Sequence, residues 1–163
     1  MSRKIEIKAI VTELDSINEL NKEEKELMLE AKTASDSAYA PYSNFFVGAA
    51  ALLENGLVIT GNNQENVAYP SGLCAERVAV YAAGAKYPGV KIKTIAITAK
   101  SKSFLVDYPV SPCGACRQAM AEYENRYHSD IRLILMGEEG KIHIVDSVST
   151  LLPLIFKEEG LKK

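Results

Sequence analysis

Two short segments hold the groups able to do chemistry: Cys74-Ala75-Glu76 and Pro112-Cys113-Gly114-Ala115-Cys116. Three thiolates at these spacings can bind one zinc ion and leave its fourth position open to water or substrate. Glu76, two residues after the first cysteine, is placed to handle protons on whatever occupies that position. The pattern is that of a hydrolytic zinc site, with Cys74, Cys113 and Cys116 as metal ligands and Glu76 as the general acid–base. The three cysteines of the chain are an odd number that cannot be fully paired as disulfides, and a reducing cytosol leaves such thiols free for metal. Three thiolates on one divalent cation leave a net negative charge, which weakens the ion as a Lewis acid. Arg77, beside Glu76, is expected to offset that charge from outside the ligand set. His128 and His143 adjoin no cysteine, so both read as structural.

Secondary structure must bring the two segments together. Ser71 is expected to cap a helix over about residues 71–86, with Cys74 in its first turn and Val78, Ala79, Ala82 and Ala83 turned inward. Ser111 is expected to cap another over about residues 112–127, with Pro112 at the favoured first position and Cys113 and Cys116 on one face. Both helix N-termini then bring partial positive charge to the thiolates. The stretch between Cys74 and Cys113 is long enough for a helix, a strand and a return loop. Upstream, Asn21 with Glu24 marks a helix start, and Leu27, Met28, Ala31, Ala34 and Ala38 keep helical spacing until Pro41. Residues 46–53 and 57–60 read as strands joined by Glu54-Asn55-Gly56, a hairpin signal. Residues 92–99, 131–136 and 141–145 read as further strands, and the alternation over residues 4–12 suggests one more ahead of the main domain. The order of elements implies an α/β fold: three α-β-α layers around a mixed, mostly five-stranded sheet. The main domain is assigned to residues 21–163, after an N-terminal extension over residues 1–20.

Composition narrows the partners. With 163 residues, 47% hydrophobic and 25% charged, the chain reads as one ordinary globular domain. A net charge of −2 and a pI near 5.8 argue against a surface built for polymeric nucleic acid. No apolar run approaches the roughly 20 residues of a membrane span, and Met1 to Glu6 lack the apolar core of a signal peptide, so a cytoplasmic location is expected.

Beyond the zinc segments, Tyr42-Ser43-Asn44-Phe45-Phe46-Val47-Gly48, Asn63-Gln64-Glu65-Asn66-Val67-Ala68-Tyr69-Pro70 and Cys116-Arg117-Gln118 are notable. Together these segments resemble the small, homotetrameric, zinc-dependent cytidine deaminases that use three cysteines, over roughly residues 22–156. The resemblance implies hydrolytic deamination of cytidine and 2′-deoxycytidine, with one zinc per chain and a homotetramer whose subunits share sites. It implies that Asn63 and Glu65 bind the ribose hydroxyls, that Phe45 lines the pyrimidine pocket, and that the backbone at Ala75 and the Glu76 carboxyl meet the ring. Tyr69 and Phe156 match the residues by which a neighbouring subunit completes each site. An amide and a carboxylate are well suited to a sugar's vicinal hydroxyls. The chain departs from the family pattern in its first 20 residues, at Phe46 where proline is frequent, and in a longer connection over Lys100–Pro109.

Two other readings compete. A deaminase of a related aminopyrimidine such as blasticidin S shares the Cys-Ala-Glu and Pro-Cys-x-x-Cys-Arg-Gln segments but lacks the full Asn-x-Glu-Asn-x-x-Tyr segment. A zinc-stabilised, non-catalytic binding domain needs a closed fourth ligand, and the sequence has no fourth cysteine.

Overall fold

In a computed structural model that describes residues 2–157 and 159–161, the apolar runs assemble into one six-stranded sheet with helices on both faces. The strands are β1 (Thr12–Leu14), β2 (Phe45–Leu53), β3 (Val58–Asn62), β4 (Ile92–Ser101), β5 (Arg132–Met136) and β6 (Ile142–Val145), and the helices are α1 (Lys22–Ser35), α2 (Ala75–Lys86) and α3 (Gly114–Tyr127). Across the sheet the order is β1-β6-β5-β4-β2-β3. Only β4 and β5 run parallel, and they are the pair linked through α3. The mixed three-layer architecture agrees with expectation. The sixth strand is the addition, and it comes from the N-terminal segment.

That segment pairs for a shorter stretch than its alternation suggested. Thr12–Leu14 lies antiparallel to Ile142–Ile144, whereas residues 4–11 carry no regular structure and are exposed. β6 ends at Val145, so the strand pattern upstream of Thr12 runs past the end of its partner.

Strand alternation sorts the core into two halves. Ala49, Ala51, Ile95, Ile97, Leu133 and Leu135 face Ala79, Val80 and Ala83 of α2 and Met120 and Ala121 of α3. On the other face Ala50, Leu52, Ala96, Ile134 and Ile144 pack on Leu27, Met28 and Ala31 of α1. The run of alanines in β2 lets helices approach closely on both sides. At Gly48 the approach is closest, since a Cβ there would lie 1.9 Å from the Ala31 carbonyl oxygen of α1. The hairpin forms as expected, with Gly56 at a φ of +83° that an L-residue rarely adopts.

Helix boundaries differ in instructive ways. Asn21 caps α1 by accepting from the Glu24 N–H at 2.9 Å, but the helix closes at Ser35 and Ala38 lies beyond it. In α2 the buried stripe includes Val80, while Ala82 faces solvent; burial follows Ala75, Glu76, Ala79, Val80 and Ala83. Neither Ser71 nor Ser111 caps a helix. Cys74 and Cys113 themselves hold the N-cap positions with extended backbone, φ −73° and ψ 154° for the first and φ −66° and ψ 165° for the second. Their side chains make no capping hydrogen bond. The thiols turn toward each other instead.

Candidate active site

The three sulfurs meet where α2 and α3 begin. Cys74 and Cys113 Sγ are 3.8 Å apart, Cys113 and Cys116 Sγ 3.4 Å, and all three lie within 4.8 Å of one another. Extended backbone at the two N-cap cysteines projects their thiols off the helix ends, while Cys116, one turn into α3, supplies the third from the buried side. His128 and His143 are elsewhere. The first closes α3 in a left-handed conformation at φ 49°, and the second bonds Glu13 on β1 at 3.0 Å.

The three sulfurs are close enough to share protons. Hydrogen bonding from Cys116 lowers the Cys74 thiol to about 5 against the desolvation that raises it, and Arg77 adds to the lowering. The same partnership with Cys74 raises Cys116 above the ordinary thiol range. Three sulfurs contending for protons at this separation form a donor set that a single soft-to-borderline divalent cation satisfies by replacing them. Arg77 places Nη2 4.0 Å from Cys74 Sγ, and its Nε is buried without a hydrogen-bond partner among the described residues. A guanidinium therefore lies beside the Cys74 sulfur.

Glu76 sits in the first turn of α2 at 4% exposure. Burial raises its carboxyl above the usual carboxylate range, and the neighbouring Cys74 charge adds to the effect. A buried carboxyl whose proton affinity is raised above that of an exposed one is better suited to take and return a proton than an ordinary surface glutamate.

A cavity of about 830 Å³ opens over these groups. Cys74, Cys113, Glu76 and Arg77 line it, together with Phe45, Asn63, Glu65 and Tyr69. Asn63 stands just after β3 and is locked at both ends: its Oδ1 accepts from the Val47 N–H at 2.8 Å and its Nδ2 donates to the Phe45 carbonyl at 2.9 Å. One N–H and one lone pair remain for a ligand. Glu65 accepts from the Tyr42 N–H at 2.8 Å and the Ser43 N–H at 3.3 Å. Partial burial works to raise its carboxyl, but hydrogen bonds from Ser43 and from the Tyr42 and Ser43 backbone outweigh it and hold Glu65 below the usual range. It is thus a fixed anionic acceptor at neutral pH.

Ala75, invoked for its backbone, begins α2 and is fully buried. Phe156 is apart from this cavity. It lies on the C-terminal tail at 70% exposure, with its backbone held by Gln118 at 2.8 and 3.3 Å. The structure also adds residues that sequence reasoning did not select. Phe104, in the long connection after β4, stacks on Phe45 with ring centroids 6.3 Å apart. Tyr42 packs edge-on against Tyr69 at 5.9 Å. Ser111, read as a helix cap, lines the cavity with Val110. Tyr42 opens a segment already singled out, though without a role assigned to it, whereas nothing in the sequence around Phe104 tied it to the site. Among the described residues no helix is long and apolar enough to cross a membrane.

Comparison with known proteins agrees with this geometry. Residues 21–128 match the family model described as the cytidine and deoxycytidylate deaminase zinc-binding region. The chain is 41% identical over 138 residues to the cytidine deaminase of Sporosarcina psychrophila, covering 84% of this chain and 93% of that one. It is 42% identical over 136 residues to the cytidine deaminase of Halalkalibacterium halodurans, covering 83% and 95%. Among solved structures, the cytidine deaminase of Burkholderia pseudomallei superimposes with a TM-score of 0.70 at 38% identity, over 80% of this chain and 97% of that one. Since the matched region contains both halves of the thiol cluster and these relatives align over nearly their whole length, the chain belongs to the zinc-binding cytidine and deoxycytidylate deaminase family.

Proposed function

We infer that this enzyme catalyses the zinc-dependent hydrolytic deamination of cytidine and 2′-deoxycytidine, giving uridine or 2′-deoxyuridine and ammonia. The observation that carries the reading is Glu76: a buried carboxyl with a raised pKa, beside three convergent thiols on a cavity large enough for a nucleoside. Cys74, Cys113 and Cys116 would hold the zinc, which when bound would supply the Lewis acidity that makes a water reactive at neutral pH. Glu76 takes a proton from that water and delivers it to the ring nitrogen as oxygen adds to the amine-bearing carbon. It then takes the remaining proton from the added hydroxyl and passes it to the amino group; the carbonyl forms as the carbon–nitrogen bond breaks, and ammonia leaves. Arg77 disperses thiolate charge through Cys74.

Substrate selection is assigned to other residues lining the same cavity. Phe45, backed by Phe104, gives the pyrimidine a flat apolar face, and the Ala75 backbone accepts a role at the ring carbonyl. Asn63 and Glu65, both immobilised by backbone hydrogen bonds, are preorganised for the vicinal hydroxyls of a sugar. A homotetramer with shared sites is the proposed assembly. Its support is the exposed apolar set that includes Tyr69, Leu154 and Phe156, outside the core of a single chain. Residues 21–163 are proposed as the catalytic domain and residues 1–20 as an extension, a division supported by the family match beginning at residue 21. Three free thiols support a reducing, cytoplasmic setting. An ultraviolet assay across cytidine, 2′-deoxycytidine, cytosine and blasticidin S tests the reading. The two nucleosides are expected to turn over at least tenfold faster than the other compounds, and blasticidin S as the best substrate would overturn it.

A further inference from the structure

Residues 3–11 precede the family match that begins at residue 21, so the family's chemistry does not account for them. β1 is the outermost strand of the sheet, and its pairing with β6 covers only Thr12–Leu14. Its register is pinned by Glu13, whose carboxylate binds both Lys141 and His143. Upstream of this clasp the chain runs past the end of β6 as exposed backbone, with Ile5 78%, Ile7 52% and Ile10 78% exposed. Yet the sequence keeps a strand's two-residue period. Ile5, Ile7, Ala9 and Val11 fall on one side, and Lys4, Glu6 and Lys8, followed by Ile10, on the other. A strand with one apolar face and no neighbour is not stable alone, and an unpaired edge is a template for another strand.

The charges identify the partner. We propose that residues 3–11 form an antiparallel β-ribbon with the same residues of a second copy of this chain, on a two-fold axis at Ile7. In that register Glu6 faces Lys8 of the second copy, twice by symmetry, while Ile5 faces Ala9 and Ile7 faces Ile7. Shifting the centre to Glu6 sets Lys4 against Lys8 and Glu6 against Glu6, both repulsive. Centring on Lys8 sets two lysines face to face. Centring on Ile5 pairs Lys4 with Glu6 but sets Arg3 against Ile7 and Ser2 against Lys8, so a cation faces the apolar side. The Ile7 register alone combines paired charges with opposed apolar residues at Ile5, Ile7 and Ala9. It joins the β1 edges of two sheets, distinct from the face that carries Tyr69 and the thiol cavity in each chain's own fold.

Single cysteines in the zinc-loaded, full-length enzyme test the register. Directly opposed residues in an antiparallel pair have Cα atoms about 4.5–5.5 Å apart, within disulfide range. Under oxidised glutathione, which takes the two electrons, Ile7→Cys should form a covalent dimer on a non-reducing gel. Ile5→Cys should form at least tenfold less, because its own counterpart is four positions away, about 13 Å. A mixture of Ile5→Cys and Ala9→Cys chains should cross-link. Glu6→Lys or Lys8→Glu, added singly to Ile7→Cys, should reduce the dimer severalfold, and the double exchange should restore it. Equal cross-linking at positions 5 and 7, no dimer at position 7, or indifference to the charge exchange would each overturn the proposal.

Discussion

Glu124, on the last turns of α3, is a buried carboxylate that holds the C-terminal part of the sheet to the helix, and Glu124→Gln tests how much that is worth. Its Oε1 accepts from the Ile131 N–H at 2.8 Å, the Val148 N–H at 2.7 Å and the Ser147 hydroxyl at 3.0 Å. Its Oε2 accepts from the Ser149 N–H at 3.1 Å and the Ser149 hydroxyl at 2.6 Å. Glutamine keeps the shape but turns one oxygen into a donor, so in either orientation an NH₂ group faces at least one backbone N–H. The better orientation strands the Ser149 N–H, which costs about 1–3 kcal/mol. The remaining backbone bonds change from charge-assisted to neutral, a loss of about 1 kcal/mol each. Relief of a buried charge returns part of this, leaving a net destabilisation of about 2–4 kcal/mol. For a chain of this length that corresponds to a fall in Tm of roughly 5–15 °C. Urea unfolding followed by circular dichroism, with zinc and protein concentration fixed, measures it directly. A Glu124→Gln protein within about 1 kcal/mol of the parent would refute the reasoning, because the stranded donor alone is assigned that much.

Other outcomes follow from the site. Cys113→Ala should reduce bound zinc well below one equivalent per chain by metal analysis, since two thiolates remain of the three that converge. Arg77→Gln removes the cation 4.0 Å from Cys74 Sγ and should move the acidic limb of the pH–rate profile upward with zinc content unchanged; an unmoved limb would make Arg77 a bystander. Because Glu65 has a folded pKa below its ordinary 4.5, the stability it adds is fully present above that value and is lost as pH falls through its lower folded value. The Tm gap between the parent and Glu65→Gln should therefore be flat from pH 7 to about 5 and shrink in more acid solution.

Much of the fold was legible because β2, β4 and β5 are long apolar runs and because Gly56 and Asn21 carry unambiguous turn and cap chemistry. The convergence of the three thiols was legible for a different reason: one helical turn between Cys113 and Cys116 is a spacing that metal chemistry constrains more tightly than packing does. Sequence reasoning failed where distant segments decide. Ser71 and Ser111 are good caps locally, yet Cys74 and Cys113 hold the N-cap positions because the cluster turns both thiols off the helix ends. Residues 4–12 alternate like a strand, but β6 offers only Ile142–Ile144 as partners. Phe104 reaches Phe45 because the connection after β4 is anchored by buried Val106, whose carbonyl accepts from the Glu138 N–H at 2.7 Å. Ala82 and Val80 exchanged places because a helix crossing close to β3 buries a stripe displaced by one residue from the simplest periodic reading.

In the proposed mechanism Glu76 moves protons while three thiolates alone hold the metal, and one preparation of Glu76→Gln tests both halves. The amide is nearly isosteric and leaves Cys74, Cys113 and Cys116 untouched, so one zinc per chain should remain by metal analysis. Cytidine turnover measured on that same sample should fall by about 10⁴-fold or more, the upper end for one general acid–base group, because in the proposed mechanism Glu76 serves every proton transfer in the cycle. Full zinc with more than about a tenth of the parent rate would contradict the account, since so small a loss lies outside the general acid–base range.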